Sequence, residues 1–244
     1  MQTDMANDSQ TPSVQGAQHP WRLLRKPAFL CPSPRAVDTS VVQAPVILRL
    51  VVHGRSGGEI PACLVDFAQE LAIQRQGPVE LEALTAEPLP TQPGCRYWLM
   101  PLLLLPGSHA RSDLPQIRER MRRAGGEVTM VPFLGAWPQW WDLLRGWIAA
   151  GKADGQSVVV VHHPLRPGLS SRYLTLLGAQ LGCGLVSADT WEVHARQHPS
   201  ACPLPLALAP NRMAEALRQA GGLPSLLDDP QLRSGLISLL SLLP

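Results

Sequence analysis

The sequence predicts an α/β protein of two similar halves, each a mostly parallel sheet flanked by helices, with the second half degenerate. Three observations carry this. Short apolar, β-branched runs alternate with stretches of helical period. The alternation runs through residues 45–150 and restarts in 151–244. Each half opens with a strand that stops at histidine, 46–52 at His53 and 157–161 at His162-His163. A restart of this kind is the mark of an internal duplication.

Residues 1–44 are polar and rich in Pro, Ser and Gln, with no sustained period, and read as a disordered or loosely packed tail. From there the elements follow in order. Strand 46–52 (VILRLVV) is nearly all β-branched or Leu. Helix 61–75 puts Leu64, Phe67, Ala68, Leu71 and Ala72 on one face. Strand 79–84 leads to Glu87-Pro88, and strand 97–105 ends near His109. Asp113, with Pro115 behind it, reads as the cap of helix 115–124, which Gly125-Gly126 terminates. Strand 127–133 and helix 137–149 complete the half.

The second half repeats with strand 157–161, helix 169–182, strand 184–190 and a weak strand 204–208. Asn211-Arg212 leads into a helix to residue 220, and no fourth strand is evident. Superposing the strand-end histidines puts Asn211 near the place of His109. Residues 229–243 read as a last helix that packs Leu232, Leu236, Leu239 and Leu240 inward.

Composition narrows the function classes. A net charge of +2 gives no electrostatic case for nucleic acid. The apolar runs fall short of the roughly 20 residues a membrane helix needs, and no secretory signal opens the chain. Five scattered cysteines without a C-x-x-C pair suit a reducing cytosol, so a cytoplasmic location is expected. No glycine-rich phosphate loop is present.

His53 and His109 close strands one and three. If those strands are neighbours, both imidazoles face one crevice at the carboxyl edge of the sheet, where open α/β sheets bind ligands. Two neutral imidazoles can hold a borderline divalent metal and also accept protons near neutral pH. Asp113, four residues past His109, is placed to orient it. Elsewhere, His194-x-x-x-His198 with Cys183 and Cys202 has partial zinc-like spacing, broken by Pro199. Trp137, Trp140, Trp141 and Trp147 fall at helical spacings and read as core, and Arg118, Arg120, Arg122 and Arg123 as a solvated helix face.

Three motifs together resemble a known family. His53-Gly54 follows the first strand, Thr85-Ala86-Glu87-Pro88 the second, and Gly107-Ser108-His109-Ala110-Arg111-Ser112-Asp113-Leu114-Pro115 the third. This pattern is similar to that of the sirohydrochlorin cobalto-/ferrochelatases, class II chelatases of tetrapyrrole synthesis. The resemblance covers residues 46–134 well and 158–220 weakly. It departs at the first motif, where the family reads H-G-S-R and this chain has Arg55-Ser56. It departs also ahead of Ala86, where the family has an acidic residue.

The resemblance implies two chelatase-like halves and nucleotide-independent insertion of Co²⁺ or Fe²⁺ into sirohydrochlorin, towards cobalamin or siroheme. It makes His53 and His109 the residues that bind metal and take the pyrrole protons. Arg55, Ser56, Gly107, Ser108 and Arg111 become substrate-binding, since the macrocycle's carboxylates want guanidinium partners. Asp113 and Glu87 stand behind these contacts. The activity is expected in the first half alone, with no cofactor beyond the substrate metal, no nucleic-acid or membrane partner, and a monomer or homodimer. The same motifs would also suit a protein that binds tetrapyrrole or metal without turnover, and the duplicated body alone would suit an interaction scaffold.

Overall fold

The structure, a computed structural model, describes residues 46–55, 57–153, 155, 157–165 and 169–244. The predicted tail and Ser56 lie outside the described residues.

Strand β1 (Val46–Val52) is buried along almost its whole length. Its even and odd residues are both apolar save Arg49, which is what a parallel strand covered on both faces requires. It pairs in parallel with β2 (Val79–Ala83) on one side and β3 (Arg96–Pro101) on the other, and β4 (Glu127–Met130) adds to β3. The order is β2-β1-β3-β4. Helices α1 (Ala62–Arg75), α3 (Asp113–Arg123) and α4 (Pro138–Ala153) connect them, with a single helical turn α2 (Ser108–Arg111) ahead of α3. The second half supplies β5 (Ser157–His162), α5 (Leu169–Leu181), β6 (Gly184–Ser187), α6 (Trp191–Gln197), β7 (Ala201–Pro205) and α7 (Arg212–Gln219). Its sheet is parallel, ordered β6-β5-β7, and α8 (Pro230–Leu240) ends the chain.

The cores follow from the two-residue period of the strands. Leu48, Leu50 and Val52 of β1 share one cluster with Phe67, Trp140, Trp141 and Leu236, and with Val158 and Val160 of β5. The two sheets therefore pack on one common layer of helices. On the far side of the first sheet, Ile47 and Val51 meet Leu114, Ile117 and Met121 of α3. On the far side of the second, Val159 and Val161 meet Trp191 and the Met213, Ala214 and Leu217 face of α7.

The expected α/β architecture with two parallel sheets is what the structure shows, and the tryptophans at 137, 140 and 141 are core. Several boundaries differ. The third strand stops at Pro101, and the Leu102 N–H to the Val51 carbonyl is the last rung of its ladder to β1. Leu102 and Leu104 remain apolar because they plug the central core. Strand β4 ends at Met130 and β6 at Ser187; the residues read as the end of β6 form a turn into α6, which the sequence reading did not separate.

A buried ionic chain also went unread. Arg49, fully buried in β1, reaches Glu80 Oε2 from Nε at 2.8 Å, Glu82 Oε2 from Nη1 at 3.2 Å and the Pro90 carbonyl from Nη2 at 2.7 Å. Glu82 pairs in turn with Arg120 of α3. Arg120 thus ties α3 to β2 instead of belonging to a solvated face. Removing one member would strand a buried charge, at a cost of about 3–5 kcal/mol.

Candidate active site at the carboxyl edge of the first sheet

β1 and β3 are neighbours, and their crossovers leave in opposite directions, to β2 and to β4. That reversal opens a crevice above their carboxyl ends. His53 is the residue after β1, and His109 lies in α2, the first turn beyond the β3 loop, so it is held by a helical turn and not by a plain loop. Their ring centroids are 4.8 Å apart, nearly perpendicular at 84°.

Each imidazole has one nitrogen committed. His53 Nδ1 lies 2.9 Å from the Gly54 carbonyl, and His109 Nδ1 lies 2.5 Å from Asp113 Oδ2. A carbonyl oxygen and a carboxylate only accept, so in the neutral rings both Nδ1 atoms donate and both Nε2 atoms keep a lone pair. Asp113 is the first residue of α3, and the capping position belongs to Ser112, whose side chain makes no cap bond. The aspartate read as a cap is instead turned to His109.

The loop that carries His53 is strapped from below. Thr85 Oγ1 lies 2.9 Å from the Arg55 carbonyl and 3.2 Å from that of His53. Gly54 adopts φ 75°, and a Cβ there would meet Thr85 Oγ1 at 2.5 Å. Only glycine fits, which gives His53-Gly54 and Thr85-Ala86 a joint physical cause. Thr85 is the site residue whose part the sequence reading missed, although the motif containing it was noticed.

The remaining predicted residues are placed as follows. Gly107 caps α2 in extended backbone with open space where a Cβ would point, so nothing in the fold demands glycine there. Ser108 and Arg111 are exposed on α2. Glu87 is exposed in the turn after β2. Among the described residues no group of three or more His, Cys, Asp or Glu could hold a metal, so the histidine pair has no third protein donor there. Asp113 also lines a groove of about 670 Å³ between the end of β2 and α3, which neither histidine lines.

Arg55 has a partner the sequence could not reveal. Its Nη2 lies 3.2 Å from Glu215 Oε1 on α7 and 3.4 Å from the Pro210 carbonyl, so it bridges the two halves. The halves are also joined elsewhere: the partly buried Tyr173 hydroxyl of α5 donates towards the Gly135 carbonyl at 2.6 Å. Burial pushes its phenol pKa well up.

Strand register corrects the comparison of the halves. Val51 pairs with Pro101, and Val161 with Pro205. Val52 therefore corresponds to His162 and His53 to His163. Pro205-Leu206-x-Leu208-x-Pro210 repeats Pro101-Leu102-x-Leu104-x-Pro106, so Asn211 stands opposite Gly107, not His109. Both are helix caps. The position of His109 falls to the buried Met213. The second half thus keeps an exposed strand-end imidazole and has nothing to pair with it at the second position.

No family model matches the sequence, and no curated protein matches it. Solved structures do. CbiX, described as the terminal enzyme for biosynthesis of siroheme in denitrifying bacteria, matches at a TM-score of 0.56 and 20% identity, over 82% of this chain and 99% of its own. SirB from Bacillus subtilis with Fe³⁺ matches at 0.59 and 14% identity, over 81% of this chain and 95% of its own. The sirohydrochlorin chelatase SirB of Bacillus subtilis subspecies spizizenii, in complex with cobalt, matches at 0.50 with the same identity and coverage. The fold is that of the sirohydrochlorin chelatases. At these identities the likeness is one of architecture, and it agrees with the two parallel sheets and their flanking helices.

Proposed function

We propose that the protein is a class II chelatase that inserts Co²⁺ or Fe²⁺ into sirohydrochlorin without nucleotide, with its active site in the half formed by residues 45–150. The observation that carries this reading is the pair of Nε2 lone pairs from His53 and His109, 4.8 Å apart by ring centroid at the switch point of the sheet. The solved structures of this fold support it, since one holds Fe³⁺ and another cobalt.

The reaction exchanges one M²⁺ for two pyrrole protons, so the site needs a donor for the metal and an acceptor for protons. One lone pair cannot do both at once. The partners of the two rings divide the work. Asp113 can stabilise an imidazolium, which makes His109 the proton acceptor. His53, backed by a neutral carbonyl, keeps its lone pair for the metal. Each proton passes from pyrrole N–H to His109 Nε2 and on to water before the next. Water or the macrocycle's own nitrogens fill the rest of the metal's coordination shell. Arg111, exposed beside His109, is a candidate for a substrate carboxylate; Arg55 serves one once it leaves Glu215. Ser108 and the open backbone at Gly107 give a flat ligand room to approach.

The test is direct. Purified protein with sirohydrochlorin and Co²⁺ or Fe²⁺ should speed the spectral change of metallation over the uncatalysed rate, and His53→Ala or His109→Ala should remove the acceleration. The lack of a third protein donor among the described residues favours a second reading, a tetrapyrrole- or metal-binding protein without turnover. A shifted ligand spectrum with no acceleration would select that reading over the first.

A further inference from the structure

Outside the cleft, α6 carries another pair of imidazoles. His194 lies in the last turn of α6, and His198 is the C-cap just beyond it, its backbone N–H bonded to the His194 carbonyl. Their ring centroids lie 4.5 Å apart with a 40° tilt. His198 is exposed and His194 half-buried. Neither ring has a hydrogen-bond or ion-pair partner among the described residues, in contrast to His53 and His109, whose Nδ1 atoms are committed. Two unpartnered imidazoles at this distance can share one cation.

The chemistry of the pair selects the ligand. Two imidazoles this close can act as a two-point chelate, and imidazole suits borderline divalent ions over Mg²⁺ or Ca²⁺. His194 also lines a cavity of about 400 Å³ with Ser187, Asp189, Thr190 and Gln197, which gives room for the waters of an incomplete coordination shell. Cys183 and Cys202 do not complete a three-donor group with the pair among the described residues. The geometry is therefore that of an open site and not of a closed structural zinc cage.

We propose that His194 and His198 form an exchangeable two-imidazole site for a borderline divalent cation, of the Co²⁺, Ni²⁺, Cu²⁺ or Zn²⁺ class, separate from the His53–His109 pair. The site lies in the second half, on a helix that packs through Trp191 on the outer face of the second sheet. It does not depend on the chelatase reading, because it needs no tetrapyrrole. If that reading holds, the site keeps a supply of the metal class the reaction consumes.

Calorimetric titration of the full chain with Ni²⁺ alone tests it. The His53→Ala/His109→Ala double variant should still bind one Ni²⁺. His198→Gln, a change at an exposed residue that leaves the fold alone, should weaken that binding at least about 10-fold. His194→Gln should do the same, and Cu²⁺ bound to the His53/His109 double variant should show two nitrogen donors by electron paramagnetic resonance, reduced to one by either glutamine. The proposal is overturned if the double variant binds no Ni²⁺, or if His198→Gln binds as the wild type does. Sirohydrochlorin metallation measured on the same samples reports on the other site separately.

Discussion

Replacing Asp113 should slow metallation far more than it weakens the hold on the metal. The carboxylate sits 2.5 Å from His109 Nδ1, both groups are about two-fifths exposed, and no other acceptor for that nitrogen is present among the described residues. Loss of a carboxylate behind a working imidazole costs about 10- to 100-fold, or about 1.4–2.7 kcal/mol. Asp113→Asn keeps an acceptor but loses the charge that steadies an imidazolium, so its rate should fall less than that of Asp113→Ala. Stability should change little in either, by about 0.3–1 kcal/mol for the lost charge at the start of α3, because Asp113 caps nothing. The assay is the initial rate of sirohydrochlorin metallation as a function of Co²⁺, with urea midpoints alongside, in a His198→Gln background that silences α6. His53→Ala should instead remove the acceleration at the Co²⁺ concentrations that saturate the wild type, with any residual rate appearing only at higher Co²⁺. If both Asp113 variants turn over like the wild type, or if they lose Co²⁺ affinity as steeply as rate, the division of labour between the histidines is wrong.

Glu215→Gln should free Arg55 and tighten tetrapyrrole binding a few-fold at low salt, with the gain fading as salt screens the carboxylates; weaker binding in a titration would show that the bridge positions the loop instead. The Glu70 carboxyl on α1 is held below its ordinary value by the hydrogen bond from Arg233 on α8. A lowered carboxylate pKa stabilises the fold above the unfolded value and loses that contribution as pH falls through the folded one. The exposed pair is worth about 0.2–1 kcal/mol, so wild type should melt slightly above Glu70→Gln at pH 7 and with it near pH 3; a gap that persists in acid would contradict the assignment. Leu236→Ala, in the central core with full burial, should cost about 2–5 kcal/mol and lower one melting transition for both sheets together; a biphasic melt would show that the sheets are not coupled through that core.

Much of this was legible because the signals are local. Strand β1 and helix α1 were read at or within a residue of their observed limits, since unbroken β-branched runs and a clean helical stripe leave few alternatives. The two histidines could be brought together because strands flanking a crossover reversal put their ends side by side. What could not be read was set by tertiary contact. The four residues Ser108–Arg111 are too few to carry a helical period, and the turn forms beside an aspartate that pulls on its histidine. Arg49 stood in plain view within an apolar strand, but its partners follow from strand pairing and a distant helix. Arg55 and Glu215 are separated by 160 residues. Which of His162 and His163 matches His53 is a question of hydrogen-bond register, and a one-residue slip exchanges a core side chain for an exposed one.

The helical layer shared by the two sheets has a mechanical consequence. With α1, α4 and α8 wedged between the sheets and contributing to one core, a swing of one half against the other would have to break packed apolar contacts. The aperture above the strand ends is then framed by packed side chains, with the helical turn α2 on its rim. If the protein is the proposed chelatase, a disc-shaped guest would enter past that rim without a swing of the halves. Amide hydrogen exchange would then register binding as protection gained at residues 108–111, with the helices of the middle layer unchanged.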